Sequence, residues 1–302
     1  MKRDLFVIVN PAAGGGRAAR LQPAVADYFR SQGRTAEFFE SHDARGVREA
    51  AVQAGSAGYP YVLALGGDGT FHYLIEGIGD TEAVAGFLPA GNGNDVARAL
   101  GIPRDPVSAA HVFLRSHPRP IDLIRVQLAD GQIARCVCAA GIGLDAEAAH
   151  LANTRFRAWP GVSRYLAGAV WTFRKGAAFD LHAEIDGAGW NGRALLAVAA
   201  NAPEYGAGIR IAREAKIDDG WLDLLLVREI SWARFLEAIP ILLTTGDIRF
   251  QEIERFRCKR VRVETGRAMK AHGDGEILGE SPAEFEVAPA AVRVMAPKPP
   301  GG

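Results

Sequence analysis

This sequence has few cysteines, no long apolar run and no excess of charge of either sign. No apolar stretch approaches the roughly 18 residues of a membrane-spanning helix. The longest candidate, residues 236–245, is broken by Pro240 and followed by Gly246-Asp247. The opening Met1-Lys2-Arg3-Asp4 precedes five apolar residues and no small-residue cleavage site, so it is not read as a signal peptide. Cys136, Cys138 and Cys258 are too few and scattered for a disulfide framework. They read as reduced thiols packed in strands. Lys plus Arg equals Asp plus Glu at 35 each. No global field therefore favours nucleic acid, and any membrane contact has to be local. Neither a GxxxxGK loop followed by Ser or Thr nor a GxGxxG fingerprint occurs, and there is no internal repeat. The expectation is a soluble, cytoplasmic chain that binds no nucleic acid.

What is present suffices for a large core. Hydrophobic residues are 48% of 302, and the length suggests about two domains of roughly 150 residues. In residues 1–120 apolar runs at 5–9, 35–39, 61–65 and 84–88 alternate with helical patterns at 17–32 and 44–54. This is the βαβ rhythm of a parallel sheet. Beyond 120, short β-type runs at 121–128, 135–140, 181–185, 195–200, 221–227, 260–264 and 283–287 suggest a mainly antiparallel domain. Two helical patterns interrupt it, at 145–174 and 231–245. The expected division is an α/β domain over 1–120, a second domain over 121–297 and a disordered tail over 298–302. The Pro-rich stretch 115–120 is the expected hinge.

Three of the first strands end in glycine-rich corners: residues 10–16, 66–70 and 91–95. In an open parallel sheet such corners gather at the carboxyl ends of the strands, where ligands bind. Glycines let the backbone approach a phosphate, and a following helix offers its first N–H groups. Asp68 and Asp95 add carboxylates suited to Mg²⁺, a hard ion that prefers oxygen. With no Walker loop and no dinucleotide fingerprint, these corners point to a nucleotide site of another type.

Residues 9–15 (Val-Asn-Pro-Ala-Ala-Gly-Gly), 66–70 (Gly-Gly-Asp-Gly-Thr) and 88–98 (Leu-Pro-Ala-Gly-Asn-Gly-Asn-Asp-Val-Ala-Arg) resemble the motifs of the diacylglycerol kinase and sphingosine kinase catalytic family, bacterial soluble lipid kinases included. The likeness continues in Gly-Ile-Gly-Leu-Asp at 141–145, Asp-Asp-Gly-Trp-Leu-Asp at 218–223 and Gly-Asp-Gly-Glu at 273–276. The resemblance implies a phosphofructokinase- or NAD kinase-like α/β domain and a β-sandwich. It implies transfer of a phosphoryl group from ATP, with Mg²⁺, to a hydroxyl of a membrane lipid. By motif, Asn10, Pro11, Gly14 and Gly15 fall at the nucleotide, and Gly66, Gly67, Asp68, Gly69 and Thr70 at its phosphates. Ser41 stands where the family often has a nucleotide-contacting Thr. Gly91, Asn92, Asn94, Asp95 and Asp122 complete the nucleotide and Mg²⁺ set. Asp274 and Glu276 are the implied proton acceptors, with Asp68 the Mg·ATP-associated carboxylate. A structural Mg²⁺ would use Asp219 and the main-chain carbonyls of Lys216 and Trp221. The chain departs from the pattern at Phe71-His72-Tyr73, at Asn92 (usually Thr) and at Arg213 (usually Pro). At family level a homodimer through the second domain is an option. The alternatives are a catalytically idle lipid- or nucleotide-binding regulator, favoured by Tyr73 and Asn92, and an NAD kinase-like enzyme with a soluble acceptor.

Glycines on both sides of Asp274 read as a flexible turn exposing Asp274 and Glu276, and His272 as a turn histidine in solvent. Residues 150–179 carry Arg155, Arg157, Arg164, Arg174 and Lys175 without one acidic residue, interleaved with Trp159, Tyr165, Trp171 and Phe173. That composition suits peripheral contact with a membrane interface. Charge reversal at Arg155 and Arg157 should therefore weaken co-sedimentation with anionic vesicles; unchanged binding would remove this segment from the contact.

Overall fold

The computed structural model describes residues 4–79 and 81–298. The tail expected over 298–302 therefore lies, except for Lys298, outside the described residues. The chain packs as two compact units, one of residues up to Ile121 together with those from Ala290 onward, the other of Asp122–Pro289.

In the first unit β1 (Leu5–Val9) is central, paired in parallel with β2 (Ala36–Glu40) and β3 (Tyr61–Gly66), and β3 pairs in parallel with β4 (Val84–Pro89). All residues of β1 and β4 are buried, which is why they read as unbroken apolar runs. β2 is half exposed. Helices α1 (Ala13–Ser31), α2 (Ala44–Ser56), α3 (Asp68–Ile78), α4 (Asp95–Leu100) and α5 (Pro106–Arg115) follow the strands. Asp43 caps α2 by accepting from the Gly46 N–H at 2.7 Å, and Asp105 caps α5 from Ser108 at 2.9 Å, with Pro106 in its first turn. The sequence reading placed residues 290–296 with the second domain. Here they form a parallel strand on β4, with Val294 opposite Ala85. Val294 is fully buried and Ala296 nearly so, and β4 thereby gains a partner on its second side.

The second unit is mainly antiparallel. Its strands are β5 (His117–Leu128, begun in the first unit), β6 (Ile133–Cys136), β7 (Ala139–Gly143), β8 (Phe179–Ile185), β9 (Ala188–Ala200), β10 (Glu204–Tyr205), β11 (Ile209–Arg210), β12 (Leu222–Arg228), β13 (Ile253–Cys258), β14 (Arg260–Thr265), β15 (Lys270–Gly273), β16 (Glu276–Glu280) and the first half of β17 (Ala283–Ala296). Strands β16, β15, β7, β9, β8, β14 and β17 lie side by side in that order, and β12 joins β9 to β13. Ile124, Val126, Leu224, Leu226, Val261 and Phe285 are among the residues of its core. The helices are α6 (Leu144–Asn153), α7 (Ser163–Arg174) and α8 (Trp232–Thr244).

The single helix expected over 145–174 is two, separated at Pro160-Gly161, where Gly161 takes a positive φ. The run 135–140 is likewise split, by a turn at Val137-Cys138. Cys138 therefore lies in the turn and not on the strand that carries Cys136. All three cysteines are buried free thiols. Burial, followed by the negative charges of Asp186 and Asp223, pushes the Cys258 thiol up to about 12. A thiol-reactive disulfide reagent at pH 8 should titrate no cysteine of the native protein and three after denaturation; fast reaction of one thiol in the native state would contradict this packing.

Candidate active site

Three corners of the first unit meet backbone to backbone. After Asn10, residues Gly14, Gly15 and Gly16 run left-handed, with φ of 60°, 65° and 85°, so the α-helical part of α1 begins at Arg17. A Cβ on Gly14 would overlap the carbonyl oxygen of Ala90 in the third corner. A Cβ on Gly91 would stand 2.6 Å from Cα of Gly67 in the second. Only glycine permits this approach. The N–H groups of Ala90 and Gly91 both donate to the Gly66 carbonyl, at 2.7 and 3.1 Å, and Asn10 Nδ2 donates to Thr70 Oγ1 at 3.4 Å.

The acids of these corners are anchored. Asp68, in the first turn of α3, accepts from the Val96 N–H at 3.1 Å. Asp95 pairs with Arg98, whose Nη1 donates to the Gly93 carbonyl at 2.6 Å. Asn94 adopts a left-handed φ of 56° and donates through Nδ2 to the Gly91 carbonyl at 2.9 Å. Its Oδ1 is buried and has no hydrogen-bond partner among the described residues. Asn92 is exposed at the corner's tip. Buried Ser41 donates through Oγ to the Asp43 carbonyl at 3.1 Å, so its hydroxyl serves the turn into α2.

The second unit holds the Gly-Asp-Gly-Glu motif in a two-residue hairpin between β15 and β16. Asp274 and Gly275 both take positive φ, 52° and 89°, the backbone of a tight hairpin turn. Contrary to the expectation of a flexible, exposed turn, the Asp274 carboxylate accepts three main-chain N–H bonds: Val137 at 2.7 Å, Cys138 at 2.7 Å and Ala139 at 3.2 Å. Its own N–H donates to the Ala139 carbonyl at 2.9 Å. Glu276 opens β16 half-buried. The two acids are thus unlike: Asp274 is tied to the β6–β7 turn, while the Glu276 side chain makes no hydrogen bond or ion pair among the described residues.

His272 is not in solvent either. Its side chain is fully buried and Nε2 lies 2.6 Å from Oδ2 of buried Asp145 on α6. The Tyr205 hydroxyl donates to the same oxygen at 3.3 Å, and its ring stacks on the imidazole at 5.7 Å. Burial, then the Asp145 charge, raises the Tyr205 phenol well above its ordinary value. Sequence reading names Asp145 only as part of a motif and carries no sign of Tyr205.

Asp122 joins the loop that carries Asp219. Its Oδ2 accepts from the Gly220 N–H at 2.6 Å, and its own N–H donates to the Ile217 carbonyl at 2.8 Å. Asp219 accepts from the Trp221 N–H at 3.1 Å and pairs with Arg257 at 2.7 Å. Asp223 is raised above the usual carboxylate range by burial and then by the negative charge of Asp219, which Arg257 partly offsets. An excess of carboxylate oxygen therefore gathers here, a donor set that fits a hard cation.

Asp274→Asn would turn one acceptor oxygen into an N–H₂ facing a buried amide, at a cost of about 1–3 kcal/mol. The thermal midpoint should fall by roughly 2–4 °C for each kcal/mol lost; an unchanged midpoint would show that these bonds do not hold the hairpin.

Comparison with known proteins places this geometry. The family described as "Diacylglycerol kinase catalytic domain" matches residues 4–126, and the "YegS C-terminal NAD kinase beta sandwich-like domain" matches 138–296. The chain is 30% identical over 302 residues to a "Diacylglycerol kinase" of Mycobacterium tuberculosis, covering 96% of this chain and 94% of that one. It is 26% identical over 295 residues to a "Diacylglycerol kinase" of Bacillus subtilis, covering 97% and 96%. A crystal structure of a diacylglycerol kinase from Bacillus anthracis superposes with a TM-score of 0.74 at 20% identity, over 99% of this chain and 98% of that one.

Proposed function

Since the chain belongs to the diacylglycerol kinase family and is a lipid kinase, we propose that it transfers the γ-phosphate of ATP, with Mg²⁺, to a hydroxyl of a diacylglycerol-like or sphingoid membrane lipid. The observation that carries this reading is the backbone contact of the three corners. With Gly14 against Ala90 and Gly91 against Gly67, the three glycine-rich corners are held together at the carboxyl ends of β1, β3 and β4, where exposed main-chain N–H groups would receive a polyphosphate. Phosphoryl transfer depends on charge neutralisation, placement of the acceptor and a group that takes its proton.

Asn10, Pro11, Gly14, Gly15, Ser41, Gly66, Gly67, Gly69, Thr70, Gly91, Asn92, Asn94 and Asp95 are proposed around the nucleotide. Asp68 would hold Mg²⁺, which when bound would neutralise phosphate charge, and the buried, unpartnered Asn94 Oδ1 is left as an acceptor for the ligand. Asp122 fixes the loop at 217–220, where Asp219 with the carbonyls of Lys216 and Trp221 would hold a second, structural Mg²⁺.

For the proton, the proposal divides labour between the hairpin acids. Asp274 spends its carboxylate on three amides and positions the turn. Glu276, unpaired and half-buried, takes the hydroxyl proton. Contact with the bilayer that supplies the lipid is peripheral: among the described residues no helix is long and apolar enough to cross a membrane.

The test is transfer from γ-labelled ATP to a lipid panel, with NAD as a soluble comparison. A labelled lipid should form and fall by about 10²–10⁴-fold in Glu276→Gln, with an unchanged melting midpoint, and in Asp68→Asn. Labelled NAD alone would move the assignment to a soluble acceptor. Nucleotide binding with no labelled product would make the chain a regulator.

A further inference from the structure

Helix α8 is apolar on the side it turns to the core and again on the side it turns to solvent. Inward, Phe235 and Ala238 are buried, and Ile239, Ile241 and Leu242 pack behind them. Outward, Trp232 is 42%, Leu236 56% and Leu243 39% exposed, and Pro240 continues the line between them. Spacings of four, four and three residues put all four on one stripe. The helix has two charged residues, Arg234 and Glu237, which pair with each other at 3.3 Å. A helix apolar all round is ordinarily enclosed by protein or by lipid.

What borders the stripe distinguishes these surroundings. The Trp232 ring packs edge-on against Phe173 at 4.7 Å. Phe173 is next to the end of α7, followed directly by exposed Arg174 and Lys175. The Arg155 guanidinium and the Lys175 ammonium lie 4.0 and 5.4 Å from the Trp171 ring centroid. No acidic residue occurs between Glu147 and Asp180. The stripe thus runs into a cationic, aromatic border. A second copy docked by the same patch would bring these cations against themselves.

We propose that α8 is the surface by which the chain docks on an anionic lipid bilayer. Trp232, Leu236 and Leu243 enter the boundary between headgroups and acyl chains, and Arg155, Arg174 and Lys175 meet lipid phosphates. The inference rests on the lipid-kinase reading for the reason a bilayer is visited, while the surface stands on its own geometry.

The test measures binding without turnover. Wild type and Leu236→Asn/Leu243→Asn, checked for equal circular dichroism and melting midpoint, are sedimented with phosphatidylcholine vesicles with and without phosphatidylglycerol. Binding should require the anionic lipid and weaken at least tenfold in the double variant. Fluorescence of wild type, set against Trp232→Phe, should show quenching of Trp232 by lipids brominated on the acyl chain. Vesicle binding equal to wild type in the double variant, or an unquenched Trp232, overturns the proposal. A concentration-dependent dimer that the double variant dissolves, without vesicle binding, assigns the stripe to a second copy and overturns it too. Docking through α8 with no lipid phosphorylated would sink the kinase reading alone; lipid turnover without α8 docking would sink this inference alone.

Discussion

Carboxylates seated on main-chain N–H groups hold loops of both units in place. Asp274 takes three amides of the β6–β7 turn, Asp122 takes that of Gly220, and Asp68 takes that of Val96. Asp186, itself at a positive φ, accepts from Lys259 and Arg260. Loop amides have no ladder partner, and a buried one left unpaired is costly. An ionised acceptor gives a shorter and stronger bond than a neutral one. Glycine-rich segments lose the most entropy on ordering, so such anchors are what let corners built from glycine hold one shape.

Much of the first unit was legible because its strands are buried on both faces and end in glycine. In β1, β3 and β4 the apolar runs coincide with the strands to within a residue or two. The second unit was less so. β13 mixes charged with apolar residues and is only partly buried, and β15 and β16 are short segments around a glycine-rich turn. The break between α6 and α7 was written in Pro160-Gly161, but apolar spacing on either side disguised it. Residues 290–296 found their partner in β4, some 200 positions earlier, where no local pattern could reveal it. The site divides in the same way. Residue types and spacing named the corner residues and the hairpin acids. Which acid is tied down depends on amides more than 130 positions away.

The pairing of His272 with Asp145 belongs to that second class, since the two are 127 residues apart. Both side chains are buried, and Nε2 of the imidazole meets the carboxylate at 2.6 Å. Each member keeps one buried atom without a partner among the described residues, Nδ1 of His272 and Oδ1 of Asp145. A buried pair of this kind adds little stability over apolar residues of the same shape, yet is costly to break on one side. It lies on β15, two positions before Asp274, so its integrity and that of the hairpin turn are linked through one strand.

The return of the chain to the first unit at Ala290 makes the second unit an insertion, in sequence, between two parts of the first. During synthesis the strand that covers β4 emerges only after the whole second unit. The first unit can collapse around β1 and β3 early, but until then it carries an unpaired sheet edge, the kind of surface that recruits other chains. Completion of the first unit's sheet is thereby timed to follow the making of the whole second unit.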